Sequence, residues 1–229
     1  MRDIRGIRSD TYFCFSLCFD YPAATMVEPA TVKTIAETIN SLAHISGLET
    51  LSDAANLFNA ELERSGDVSG VPLLHLQIEY NRLFAGPSKP QAYPYEEAFL
   101  NRSGWAVESG QSLAREYLQG GLKLAPGFKD SPDHISLELE FMSHLCEKEM
   151  IEGETPDAPG VASYQQQQRS FLENHIVNWV PAFLAIVERS AVLNFYKSLA
   201  RIARGFVVWD YAHVEHLARQ RERSRNVNV

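Results

Sequence analysis

Cysteine is scarce in this chain: its 229 residues include three, Cys14, Cys18 and Cys146, with no CxxC pair among them. An odd count without paired spacing argues against a disulfide framework and for a reducing, cytoplasmic compartment. Strand-like alternation is missing, and almost every periodic segment carries the helical repeat instead. No run approaches the ~20 apolar residues that a membrane span requires. The opening "MRDIRGIRSDTYFCFSLCF" sets arginines ahead of an apolar run, as a secretory signal would. Asp3 and Asp10 interrupt its basic part, however, and the run ends at Asp20, which suits a buried first helix better. Also lacking are GxSxG, a phosphate loop ending in GK[ST], GxGxxG and HExxH, so nucleophilic, nucleotide and zinc-protease chemistries have no motif to rest on.

What is present describes a folded acidic domain. Hydrophobic residues make up 45% and charged residues 22%, and the length suits one domain. The net charge is −8, yet the stretch "ARQRERSRNVNV" from 218 to 229 contributes +3, which leaves −11 for the body. Such a body repels nucleic acid and attracts cationic partners.

The periodicity predicts helices over about 3–20, 29–45, 50–64, 71–85, 105–119, 131–150, 164–188 and 190–221, an all-α single-domain bundle of about eight or more helices. Val32, Ile35, Ala36, Ile39, Leu42 and Ala43 form the apolar stripe of the second. In the fourth, Leu73, Leu76, Tyr80, Leu83 and Phe84 share one face, and His75, Glu79 and Arg82 fall on the other, expected to be solvated. Pro181 predicts a kink or break, and "QQQQ" at 165–168 reads as a solvated helix start. The domain is expected to cover 1–217, with a Gly/Pro-rich hinge at 120–132 and a basic, disordered tail at 218–229. Between Gly86 and Trp105 lies a long connection whose Tyr93, Pro94, Tyr95 and Phe99 keep it apolar. Long loops of that kind are usually functional.

The stretch "PDHISLELEFMSHLCEKE" places Asp133 in a first helical turn, where the helix dipole favours a carboxylate. At ~100° per residue, Ile135, Leu139, Phe141, Met142, Leu145 and Cys146 form one apolar arc with Glu138 inside it, while Glu140, His144 and Glu147 face outward. A carboxylate in that arc needs a partner, and His134, one turn back, is the nearest candidate. The pairs His134/Glu138 and Glu140/His144 each supply two ligands in different directions, so no metal site is expected. Cys146 reads as a small core residue. Binding rather than catalysis is the expected activity.

"YNRLFAGP", "YPYEEAF" and "PDHISLELEFMSHL", in this order and spacing, resemble the TorD/DmsD family of chaperones for molybdenum-cofactor oxidoreductases, relatives of the NarJ-type chaperones. "FLENHIVNWVPAF" and "FYKSLARIA" are similar to that family's closing helices. The resemblance implies a TorD-like all-helical fold, no turnover and no cofactor of its own. It also implies binding of a precursor oxidoreductase in its apo form, together with the precursor's twin-arginine signal peptide, before export. Matched by motif, the signal-peptide-binding residues would be Tyr80, Leu83, Phe84, Pro94, Tyr95, Asp133 and His134, with Arg82 and Glu138 in support. Asp133 would offer a bidentate acceptor to one Arg, and the loop would form half of an apolar groove. Two alternatives stand beside it: a NarJ-type chaperone for a leaderless apoenzyme, and a metal-dependent helical hydrolase built on His134, Glu138 and His144. The resemblance is compatible with a monomer or a homodimer, including one that exchanges helices at the 120–132 hinge.

Overall fold

The computed structural model describes residues 3–64, 73–86, 89–100, 106–125, 130–153 and 159–227. Ten α-helices follow one another among them: α1 (Ile4–Phe19), α2 (Pro29–Ser46), α3 (Glu49–Arg64), α4 (Leu73–Tyr80), α5 (Glu96–Leu100), α6 (Ala106–Gln119), α7 (Ile135–Glu152), α8 (Pro159–Phe171), α9 (Val180–Ser190) and α10 (Asn194–Val227). The expected bundle is therefore the observed architecture. Parts of the connection to Trp105 and of the 120–132 segment lie outside the described residues, as do 65–72 and 154–158.

The ends of several helices follow local chemistry. Asp3 caps α1 by accepting from Arg5 N. Pro29 opens α2, and Gly47, in the left-handed region at φ 62°, closes it.

α7 is the central element, buried on most of its circumference. Antiparallel α1 lies along it, and at their crossing Ser9 Oγ donates to the Ser143 carbonyl at 3.0 Å while Ser143 Oγ donates to the Ser9 carbonyl at 2.9 Å. Two small polar residues thus let the helices approach closely without leaving hydroxyls unpaired. Further along α1, Tyr12 and Phe15 pack edge-on to Phe206 of α10, at 4.7 and 5.7 Å between ring centroids.

Below that aromatic layer, Arg8 is fully buried. Its Nε donates to Asp210 Oδ1 in a very short bond, and its Nη2 donates to Asp210 Oδ2 at 3.0 Å and to Gln168 Oε1 at 2.7 Å. Nη1 reaches Glu149 Oε2 at 3.4 Å, and Tyr12 donates its hydroxyl to Asp210 at 2.8 Å. One guanidinium therefore ties α1 to α7, α8 and α10. Gln168 corrects the reading of the glutamine run as a solvated helix start: α8 begins at Pro159, and Gln168 is wholly buried in this network.

Four other differences have physical reasons. The fourth helix is α-helical only to Tyr80; Asn81–Ala85 widen into a π turn, and the Leu83 carbonyl accepts from Ala92 N at 3.0 Å. Glu79 is not on a solvated face. It is buried, takes a bidentate pair from Arg82 at 2.7 and 2.8 Å, and accepts from Val192 N at 2.5 Å, which pins the α9–α10 corner. The 164–188 helix divides at a second π turn, Leu172–Ile176, and Pro181 stands in the first turn of α9, where its missing N–H costs nothing. Finally, α10 continues through the described part of the 218–229 tail, to Val227. Arg219 there lies one turn from Glu215 at 3.5 Å.

Arg8→Met is expected to destabilise the fold by about 3–5 kcal/mol, since it strands two buried carboxylates. Urea unfolding followed by circular dichroism measures this; an unchanged midpoint would contradict the tie.

Candidate functional site

The apolar connection is fastened to the start of α7 by main-chain bonds. Ile135 N donates to the Pro94 carbonyl at 2.9 Å, and Glu96 N donates to the Asp133 carbonyl at 3.0 Å. Together they make an antiparallel bridge between Tyr95 and His134. α5 begins directly after it. Glu97 N donates to Asp133 Oδ2 at 3.0 Å, and Ser131 Oγ donates to Asp133 Oδ1 in a short bond. Asp133 is thus buried and engaged at both oxygens, and it stands before the N-cap of α7 rather than in its first turn.

His134 is that N-cap: its Nδ1 accepts from Ser136 N at 3.2 Å and lies 2.7 Å from Ser136 Oγ. Nε2 faces the Tyr80 hydroxyl at 3.5 Å, and the Tyr95 ring stands edge-on to the imidazole at 5.1 Å. A nitrogen that accepts from a backbone N–H must be unprotonated, which matches the effect of burial in pushing His134 below its usual value, against the pull of Asp130, Asp20 and Asp133. The expected His134–Glu138 pair does not form. Glu138 is fully buried and accepts from Trp179 Nε1 at 3.1 Å. Burial, then the nearby Glu96 carboxylate, pushes it well above the usual carboxylate range.

Of the residues matched by motif, Tyr80, Leu83, Phe84, Pro94, Asp133 and His134 are buried, and Tyr95 is half-buried. Phe84 is packed among Tyr80, Phe183 and Tyr196, with centroids 5.0 to 5.9 Å away. Gly86 lets the chain turn tightly after it: a Cβ there would lie 2.8 Å from the Asn81 carbonyl oxygen. Arg82 completes the Glu79 clasp by donating to the Ser190 carbonyl at 2.6 Å. His144, the third member of the hydrolase alternative, faces the Gly120 carbonyl from Nε2 at 2.9 Å. His134, Glu138 and His144 therefore point to three different partners.

The open surface beside these residues is a cavity of about 320 Å³ between α1, the start of α7 and the segment 122–125. Phe13, Leu17, Leu122, Leu124 and Leu137 give it apolar walls; Asp20, Asp130 and Glu140 line it with carboxylates; Lys123 is the one lysine among its described lining residues, and His134 forms part of its floor. Phe13 and Leu17 are 48% and 37% exposed, on one face of α1. Asp130 accepts from the Tyr95 hydroxyl at 2.9 Å, and Asp20 from Tyr21 N at 2.7 Å. Among the described residues no ion pair engages any of the three carboxylates. Burial, with Asp20 nearby, raises Glu140 above its usual value. Sequence reasoning missed these walls. A signal did exist in "YFCFSLCF", which is apolar on more than one helical face and so carries more apolar surface than a single contact can cover.

A second titratable group secures α5 from behind. His175 Nδ1 is 3.0 Å from Glu96 Oε2, and its Nε2 is 3.5 Å from Glu116 Oε2. Burial alone would lower its value, but the Glu116 and Glu96 carboxylates raise it to about 9.

Known proteins share this architecture and parts of its sequence. A family model described as the nitrate reductase delta subunit matches residues 46–185. The chain is 23% identical over 137 residues to a chaperone protein TorD of Vibrio cholerae serotype O1, covering 60% of this chain and 61% of that protein. It is 23% identical over 208 residues to TorD of Vibrio parahaemolyticus, with 90% and 94% covered. A perchlorate reductase assembly chaperone protein of Dechloromonas aromatica is 33% identical over 134 residues, with 56% and 54% covered. The first of these alignments thus spans about six tenths of the curated relative. Among solved structures, a redox enzyme maturation protein from Archaeoglobus fulgidus superposes with a TM-score of 0.54 at 22% identity, covering 90% of this chain and 95% of that one, a likeness of fold.

His175→Gln is expected to remove stability that is fully present below the unfolded value of 6.5 and lost as pH rises through about 9. Thermal unfolding of both proteins between about pH 6 and pH 10 should show curves that differ most at the acid end and converge at the alkaline end. A constant offset would assign His175 a packing role only.

Proposed function

We propose, from the premise that the chain belongs to the nitrate reductase delta subunit family, that it is a maturation chaperone for a molybdenum-cofactor oxidoreductase and not an enzyme. Its relatives carry chaperone names that include reductase assembly, which supports this reading. The finer part of the proposal is that it binds the twin-arginine signal peptide of a precursor in the cytoplasm, and holds the apoenzyme until cofactor insertion is complete.

The observation that carries the peptide reading is the cavity beside His134: apolar walls with three carboxylates that no cation engages among the described residues. A twin-arginine leader presents two guanidinium groups next to an apolar segment, and a receptor for it needs acceptors beside apolar surface. Asp20, Asp130 and Glu140 are the proposed acceptors, and Phe13, Leu17 and Leu137 receive the apolar part. The motif-matched residues then divide. Tyr95 and His134 belong to the site's edge and floor; Tyr80, Leu83, Phe84, Pro94 and Asp133 support it from beneath, with Arg82 and Glu138 deeper still. Asp133 acts here as a positioning residue, because both of its oxygens already have donors.

A leader of this kind is expected to bind in the micromolar range, roughly −8 kcal/mol. Asp20→Asn with Glu140→Gln should weaken it about tenfold, ~1.4 kcal/mol, in calorimetric titration, and affinity should fall at lower pH as Glu140 takes up a proton. Unchanged affinity in the double variant would remove the cavity from peptide binding. Binding of leaderless apoenzyme with no competition from the leader would favour the NarJ-type reading instead.

A further inference from the structure

We infer that this chaperone associates with itself head to tail, the arginine-rich end of α10 from one copy occupying the acidic cavity of the next. The inference rests on the reading of that cavity as a guanidinium site. Its second observation lies at the far end of the molecule.

The last described turns of α10 carry Arg219, Arg221 and Arg223 within two turns of helix. The carboxylates nearby are already engaged by another cation: Arg169 pairs with Glu215 at 2.5 Å and with Glu222 at 4.0 Å. Arg219 shares Glu215 at 3.5 Å, while Arg223 is exposed and Arg221 is half-buried. This end therefore presents excess positive charge on a body that is otherwise acidic. The cavity presents the opposite: among its described lining residues Asp20, Asp130 and Glu140 stand against Lys123.

The two features cannot meet within one copy. α10 runs antiparallel to α1, with Tyr196 beside Phe84, Phe206 beside Phe15 and Asp210 on Arg8. From that last tie, Arg221 lies about 16 Å further in one direction, and Leu17 lies about 14 Å in the other, at 1.5 Å of rise per residue. A continuous helix cannot fold back over that span. The arginines can reach only the cavity of a second copy, and contact between two different patches extends into chains unless a rotation happens to close it. Exposed ion pairs are weak and screened, so the association is concentration-dependent and reversible. A leader peptide and the neighbour's α10 compete for one site, which couples client loading to release of the self-associated form.

Sedimentation velocity over a range of concentrations tests this. The average mass should rise with concentration in low salt, and about 0.5 M salt should weaken association roughly tenfold or more. Arg221→Glu with Arg223→Glu should be monomeric throughout and bind leader peptide unchanged. Asp20→Asn with Glu140→Gln should also be monomeric. A mixture of these two variants, one with an intact cavity and the other with intact arginines, should yield 1:1 dimers and nothing longer. Two results would each overturn the inference: a parent that stays monomeric at every concentration in low salt, and a mixture that forms no dimer. If the mixture dimerises but no leader binds, the association stands and the leader reading fails; if leader binds and the mixture stays monomeric, the reverse holds.

Discussion

Arg8 is the constraint on which the arrangement turns. Its guanidinium draws α1, α7, α8 and α10 to one point, with Asp210, Glu149 and Gln168 as acceptors in a region closed to water. Burying these charges is expensive, and an apolar substitute of the same volume could be as stable. What the cluster adds is direction. A fork of donors that must meet acceptors from three other helices admits one mutual alignment, while greasy faces tolerate several. The antiparallel course of α1 along α7, and of α10 along α1, both follow from that alignment.

Those two courses set the surface of the molecule. Because α1 lies along α7, the far end of α1 comes to rest beside the first turns of α7, and the cavity opens between them. Because α10 runs the other way, its arginines emerge at the opposite pole. The bridge between Tyr95 and His134 does the remaining work: it ends the apolar connection against α7 and leaves Tyr95 reaching Asp130 at the cavity's edge. Acidic groups gathered beside exposed apolar surface complement a cationic, partly apolar partner, and that complementarity is the physical argument for the proposed ligand.

Much of this is legible in the order of the residues. Helical periodicity locates most of the helices to within a few residues, and three ordered motifs indicate the family that the matched region establishes. Reading fails where a polar residue finds a partner far away in the chain. Glu79 reads as solvated because nothing local announces that Val192 N and Arg82 will close over it. Gln168 reads as part of a polar run, although its amide sits between Arg8 and Glu149. Helical spacing assigns His134 to Glu138, and the main chain makes that one-turn bond, but His134 is the extended N-cap, so its side chain turns back to Ser136 instead of lying along the helix face. The cavity walls escape notice for a related reason. The motif-matched residues are mostly buried, which puts them behind the wall rather than on its open face.

The helices, their apolar faces, the acidic balance of the body and the basic character of its last stretch are fixed by the amino-acid sequence alone, because these depend on neighbours within a turn or on simple sums of charge. Only the tertiary structure decides which apolar residues stay uncovered and which carboxylates lack a cation. Those outcomes depend on where helices far apart in the chain cross, and a crossing is selected by buried partners such as Arg8 and Asp210, whose 202-residue separation no local pattern encodes.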